Sequence, residues 1–509
     1  MTGTGPLVVV GDALLDRDMD GRASRMCPDA PVPVLDDAVE TLRPGGAALA
    51  ALLAAMDGTP VVLVAPLGDD RASRAVRDML EPRLRVVPVP LRGSLQEKTR
   101  FRAAGRTLLR TDSPPGSPGP AGGAVSGVIA AAGALLVSDY GRGVTADPRI
   151  RGWLAARAAQ VPLLWDPHPR GSEPVPGTRV VTPNHAEAVA AAGLGPGGRV
   201  LESAAAAARR LLDRWPADAV AVTLGAAGAL LTHSGGLTPL IVPAGKVGTL
   251  DTCGAGDRFA AAAATALRGG ALTSEAVTMA TAAATAFLAS GGVATLPAGL
   301  AAPPASMATP PASVDTSPAG VATSLASAAA PPAHLAAAPV RRHGKAAPQG
   351  IPAGRHHALL VAGEVRAAGG TVVATGGCFD LLHAGHVAML RAARSLGDCL
   401  IVCLNSDASV RRLKGNGRPL NSAADRAAVL AALECVDCVM IFDEDTPGAA
   451  LDRLRPHVWV KGGDYSGQDL PESAALRRWG GQAVTVPYLD GRSTTRLRDA
   501  AAAGGPVGP

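Results

Sequence analysis

Two α/β domains joined by a disordered linker are the fold that this 509-residue sequence predicts, and three observations predict it. Apolar runs of strand length alternate with helical segments in both halves, the pattern of mostly parallel sheets covered on both faces. A glycine-bearing turn in each half runs directly into a helix. Between the halves lies a stretch rich in Pro, Ala, Ser and Thr with few large apolar residues. The length also exceeds one ordinary core. The expected division is 1–296, a linker over 297–350, and 351–509.

The first half opens on Leu7-Val8-Val9-Val10, a buried strand ending in the turn Gly11-Asp12, with Asp16 just beyond. Arg43-Pro44-Gly45-Gly46 then precedes an alanine-rich helix over Ala47–Met56. Further strands are expected at Val61–Ala65, Ala134–Val137, Pro162–Trp165, Arg179–Thr182 and Val220–Leu224. Ligand groups in such sheets collect at the C-terminal ends of strands. Asp12, Ser138-Asp139-Tyr140, Asp166, Asn184 with Glu187, and Thr223 with Gly225 occupy those ends. The strongest signal is Asp251-Thr252-Cys253-Gly254-Ala255-Gly256-Asp257, followed by a helix. Its glycines let backbone N–H groups converge at a helix N-terminus, an anion hole suited to a transferring phosphoryl group. Asp257 there is placed to take the proton of an attacking hydroxyl, since phosphoryl transfer rests mainly on positioning and charge stabilisation. A glycine turn with Asp257 as a helix cap accounts for the same residues without chemistry.

The linker repeats Ala-Pro-Pro-Ala and Thr-Pro-Pro-Ala units. Too little apolar surface is available to offset the entropy of ordering it. A flexible coil of about 54 residues spans roughly 40 Å.

In the second half, the strand Thr371–Ala374 enters Gly376-Gly377-Cys378-Phe379-Asp380-Leu381-Leu382-His383-Ala384-Gly385-His386, and a helix leaves it. Imidazoles at a helix mouth suit nucleotide phosphates and the charge that develops during their transfer. Strands follow at Cys399–Leu404, Val436–Phe442, Val458–Val460 and Val484–Val486. A basic glycine loop carries Lys414 and Arg418, Lys461-Gly462-Gly463-Asp464 ends a strand, and Ser493-Thr494-Thr495 stands among arginines. Hydroxyls and N–H groups at a helix start suit a triphosphate.

Composition excludes several classes. Aromatics make up only 3% of the residues, so the cores are packed with Ala, Val and Leu. The net charge of +5 comes without a basic block and interleaved aromatics, which argues against nucleic-acid binding. Seven cysteines, mostly within apolar segments, point to reduced thiols in a cytoplasmic protein. Cys435 and Cys438 have C-x-x-C spacing without a second pair, so no dedicated metal cluster is expected. No apolar run long enough to span a membrane appears.

The first-half motifs resemble those of ribokinase-like sugar kinases of the phosphofructokinase-B family. Gly11-Asp12-Ala13-Leu14-Leu15-Asp16-Arg17 and Ala30-Pro31-Val32-Pro33-Val34 resemble the heptose 7-phosphate kinase branch. The resemblance implies a ribokinase-like α/β domain with Asp257 as base and Gly254, Ala255 and Gly256 as anion hole. It places Asn184, Glu187, Thr223 and Gly225 near Mg-ATP, and Asp12, Asp16, Gly45, Gly46, Lys98 and Arg100 near the sugar phosphate. The second half resembles the cytidylyltransferase-like nucleotidyltransferases, and within them the adenylyltransferases of heptose 1-phosphate. That implies a smaller Rossmann-like domain in which His383 and His386 are catalytic. Phe379, Lys414, Arg418, Lys461, Gly462, Asp464, Ser493, Thr494 and Thr495 would bind nucleotide and phosphates. The two occur in this order in bifunctional enzymes of ADP-heptose biosynthesis, implying ATP, Mg2+, heptose phosphates and a homodimer.

The chain departs from the pattern at Leu49, where the kinases usually have Asn, at His168 in place of a basic residue, and at Gly376 in place of Asn. Leu49 cannot hydrogen-bond a sugar hydroxyl, a loss of roughly 0.5–1.5 kcal/mol. Another sugar, CTP in the second domain, or a first domain that binds sugar without phosphorylating it are the alternatives these departures leave open.

Overall fold

The computed structural model describes residues 5–195, 197–236, 238–248, 251–296, 354–463 and 470–487. The stretch expected as linker, 297–350, lies outside them. In the first half, the strand Leu7–Gly11 lies between Ala134–Ser138 and Val61–Pro66, parallel to both. Arg85–Val89 adds to one side; Leu163–Asp166, Val180–Val181 and Ala219–Thr223 add to the other. Leu7–Gly11, Val61–Pro66 and Ala134–Ser138 are buried along their whole length. Helices on both faces cause this, and it is why the strands read as unbroken apolar runs. Ala47–Met56 is a helix that buries Ala47 through Ala54 against that sheet. Its small side chains allow the close approach that a core poor in aromatics needs.

Parallel register brings the strand ends to one edge. Gly11 lies beside Ser138, Ser138 beside Asp166, and Asn184 bridges to Thr223. The candidate kinase residues therefore come together from positions more than two hundred residues apart.

Nothing in the expected alternation of strands and helices prepares for the four-stranded sheet of Ala13–Met26, Pro33–Gly46, Glu97–Ala103 and Arg106–Asp112. Its pairings set Asp16 beside both Arg43 and Lys98, and Asp18 beside Arg100. Asp18 is only 1% exposed. It forms ion pairs with Arg43, Arg100 (3.6 Å) and Arg102 (3.3 Å). A buried carboxylate survives only with such partners. The period-two run Asp16, Asp18, Asp20 opposite Lys98, Arg100, Arg102 is the sequence trace of this sheet.

In the second half, five parallel strands run Cys438–Phe442, Cys399–Asn405, Val372–Gly377, Val458–Gly462, Gln482–Val486 across the sheet. The pattern expected for the two halves leaves only the linker between them; the structure adds an edge contact. The hairpin Ala229–His233 and Leu240–Val242 extends the first sheet, and Leu240 pairs with Thr485. The Thr485 N–H donates to the Pro239 carbonyl at 3.0 Å, and the Leu470 N–H to Thr238 Oγ1 at 3.3 Å. One fourteen-stranded sheet thus runs through both halves.

Asp18→Ala should destabilise the first half by about 3–5 kcal/mol, because it leaves buried guanidinium groups without their counter-charge. Arg22→Ala, which breaks an exposed pair with Asp37, should cost about 0–1 kcal/mol. Urea unfolding of the two variants measures the contrast.

Candidate active sites

The helix Ala255–Arg268 starts after Gly254, whose φ of +77° is left-handed. A Cβ at Gly254 would stand 2.7 Å from Val293 and 3.2 Å from Leu49, so only glycine fits this turn. First-turn N–H groups have no acceptor within their own helix. Of the three residues expected as anion hole, Ala255 already donates its N–H to the Thr252 carbonyl at 3.2 Å. Asp257 follows in the first turn, 8% exposed, with Oδ1 accepting the Tyr140 hydroxyl at 2.7 Å. Burial pushes its pKa up to about 7; the Tyr140 bond opposes this, Asp16 adds to it and Lys98 opposes it.

The residues expected at the sugar divide into two sets. Asp16, Arg100 and Lys98 line the approach to Asp257: Arg100 donates to Asp16 Oδ1 at 3.0 Å, and Lys98 stands 5.2 Å from the Tyr140 ring centre. Gly45 belongs with them, since a Cβ there would meet Asp16 Oδ2 at 2.5 Å. Asp12 has another place. Its carboxylate accepts the N–H groups of Tyr140 (3.2 Å), Arg142 (2.8 Å) and Val144 (3.4 Å), so it anchors the loop that carries Tyr140. Gly46, at φ +61°, comes close to the Asp12 carbonyl. Leu49 is buried and lines one pocket with Asp16, Arg43, Arg100 and Cys253. His168 stacks on Tyr140, ring centres 6.3 Å apart, and its Nδ1 accepts the Arg170 N–H.

The residues expected at the nucleotide meet at the neighbouring strand ends. Asn184 and Glu187 form a reciprocal capping box, 3.0 and 2.9 Å, at the start of the helix His185–Ala191. The Thr223 N–H donates to the Pro183 carbonyl at 3.0 Å, and Gly225 turns the chain at φ +58°. Asp166, beside them, accepts the Thr182 hydroxyl; burial, then Asp257, pushes its pKa well up.

In the second half the strand Val372–Gly377 leads to the helix Ala384–Ser395, with His383 at its N-cap. The His383 and His386 rings lie 3.9 Å apart, and Phe379 packs 5.1 Å from His386. Phe379 adopts φ +44°, a strained value for a bulky residue. Burial lowers the His386 pKa to about 4, with His383 and Lys414 adding to the effect. A Cβ at Gly376 would meet the Trp459 ring at 2.5 Å, which explains glycine there. Arg418 does not stand free for phosphate: it pairs at 2.6 Å with Asp380, which also accepts the N–H groups of Leu420 and Asn421. Lys461 ends its strand next to Gly462, its Nζ 3.3 Å from the buried Glu472. Asp464, Ser493, Thr494 and Thr495 lie outside the described residues.

Residues 154–298 match the model of the pfkB family of carbohydrate kinases, and 374–500 match that of the cytidylyltransferase-like family. Bifunctional protein HldE of Streptomyces coelicolor is 52% identical over 514 residues, which cover 99% of this chain and 98% of that one. The chain belongs to the HldE family. Bifunctional HldE proteins of Azorhizobium caulinodans and Hahella chejuensis are 36% and 34% identical, over 97% and 96% of this chain and 98% and 95% of their own. The expected pair of folds is borne out, and the chain is a bifunctional enzyme with a sugar kinase domain and a nucleotidyltransferase domain.

Two side chains that the sequence does not flag organise the second site. Arg426, almost fully buried, donates to the carbonyls of Asn421 and Cys378 and pairs with Asp407 at 2.8 Å, tying three loops together. Glu472 holds Lys461. A single arginine in an alanine-rich helix carries no signal of burial, and Glu472 stands outside every motif.

His386 stays neutral in the folded chain down to about pH 4, whereas an unfolded histidine takes its proton near 6.5. Between those values the unfolded state binds more protons, so stability falls as pH drops through that window. Histidine NMR should place the His386 midpoint near 4; a midpoint at the ordinary value would contradict the packing around it.

Proposed function

We infer that the chain catalyses two steps of ADP-heptose synthesis. The first domain phosphorylates D-glycero-β-D-manno-heptose 7-phosphate at C1. The C1 hydroxyl oxygen attacks the γ-phosphorus of ATP, the bond to ADP breaks, and Asp257 takes the hydroxyl proton. The second domain joins heptose 1-phosphate to AMP: a phosphate oxygen of the sugar attacks the α-phosphorus of ATP and pyrophosphate leaves. No protein nucleophile is required, because the attacking phosphate already carries the charge.

The observation that carries this reading is the presence of two separate phosphate-directed turns, at Asp257 and at His383-Ala384-Gly385-His386, in a chain aligned end to end with bifunctional HldE proteins. In the first, Gly254 and Gly256 offer N–H groups to the transferring phosphoryl group. Asp16, Lys98 and Arg100 supply a mixed-charge approach for a phosphorylated sugar. In the second, His383 and His386 donate to the triphosphate, Lys414 and Lys461 neutralise it, and Arg418 holds Asp380 and the loop in place. Asp464, Ser493, Thr494 and Thr495 complete that site in this reading.

Mg2+ travels with ATP in this chemistry and neutralises its phosphates. It takes one or two carboxylates besides phosphate oxygens. Asp166 and Glu187 fit that role: both have pKa values raised first by burial, and neither has a cationic side-chain partner among the described residues. Seven unpaired cysteines support a cytoplasmic site of action. The exposed apolar side chains Met26, Val39 and Leu109 on the four-stranded sheet support a homodimer.

Asp257→Asn should lower bisphosphate formation at least 10²–10⁴-fold, the usual contribution of a general base, and leave adenylyl transfer intact. His386→Ala should do the reverse. Wild-type bisphosphate formation should fall as pH drops below about 7, where Asp257 becomes protonated. Loss of both activities in either variant would refute the separate assignment.

A further inference from the structure

Asp257 is the base in the reading above, yet its carboxylate has a bond that this role does not require. The Tyr140 hydroxyl donates to Oδ1 at 2.7 Å. The geometry around Tyr140 leaves it little freedom. Its backbone N–H is bound by Asp12, as is that of Arg142. Gly141 donates to Asp139 Oδ1 at 2.7 Å, while Asp139 Oδ2 accepts the Thr145 hydroxyl and the Ser172 N–H. Lys98 stands over the ring and His168 stacks with it. Two buried aspartates thus fix a short loop whose one side chain reaching the base is a phenol.

We propose that Tyr140 is a positioning residue for phosphoryl transfer: its hydroxyl holds Oδ1 of Asp257, so that the second carboxylate oxygen alone is presented to the attacking hydroxyl. A carboxylate with both oxygens unbound rotates about its terminal torsion, which is broad and roughly two-fold. Binding one oxygen removes that freedom before substrate arrives, and orientation is a large part of what an enzyme supplies. Tyr140 does not relay the proton. Burial and the neighbouring Asp257 raise the affinity of the phenol for its own proton, so the hydroxyl donates throughout and the substrate proton ends on Asp257. The same bond favours the ionised form of a carboxylate otherwise faced by Asp16, Asp166 and Cys253, with Lys98 as the nearby cation. Tyr140 therefore has two effects on one group: it orients the base and keeps it deprotonated.

This proposal rests on Asp257 being the base, and the experiment separates the two ideas. Tyr140→Phe keeps the ring and removes the hydroxyl. The expected result is an acid limb of kinase kcat/KM displaced upward by about one pH unit, a tenfold change in proton affinity. kcat should fall at least several-fold while the KM for ATP and the adenylyl transfer of the same chain stay unchanged. An unmoved limb, with activity either unchanged or lowered equally at every pH, overturns the proposal. Infrared titration of the Asp257 carboxyl, assigned by its disappearance in Asp257→Asn, gives the same answer without turnover: the midpoint rises in Tyr140→Phe, or the proposal fails. If Asp257→Asn itself still makes bisphosphate, the base assignment falls and this one with it.

Discussion

Both candidate sites depend on one constraint: a helix begins just after a position too crowded for a side chain. At Gly254 the crowding comes from Val293 and Leu49. At Gly376 it comes from Trp459. Each glycine lets the following helix start close to the sheet edge, where its unpaired N–H groups and dipole face a phosphate. The two chemistries differ in what stands beside that start. One has a buried acid and the other a pair of imidazoles.

Burial sets the protonation of both. It raises Asp257 to about 7 and lowers His386 to about 4. A carboxylate meant to accept a proton is thereby given a higher affinity for it, and the His386 imidazole, meant to donate a hydrogen bond to phosphate, remains neutral. Buried or half-buried ion pairs stand in the walls of both halves. In the first half these are Asp18 with its three arginines; in the second, Asp380 with Arg418 and Arg426 with Asp407.

Strands buried on both faces were legible because their apolar runs are continuous, and the two turns because glycine, strand and helix coincide. The helix Ala47–Met56 has the expected bounds. The four-stranded sheet was not legible as strands, since its residues face ion pairs and solvent rather than a core. Its trace is a period-two alternation of charge at Asp16, Asp18 and Asp20. Individual roles were harder still. Asp12 reads as a sugar ligand, and its oxygens also accept three backbone N–H groups; Arg418 reads as a phosphate ligand, and it also pairs with Asp380. Residue type and position along a strand end locate a site. Which of its polar groups remains available depends on loops folding back from elsewhere in the chain.

The central claim is that one chain performs phosphoryl transfer and adenylyl transfer on successive forms of the same sugar. A coupled incubation read by mass addresses it most directly: purified chain, heptose 7-phosphate, a phosphatase specific for the C7 phosphate, and ATP or CTP. The account predicts heptose 1,7-bisphosphate before phosphatase is added and ADP-heptose with pyrophosphate afterwards. Absence of the bisphosphate, or a nucleotide sugar formed from CTP alone, would contradict it.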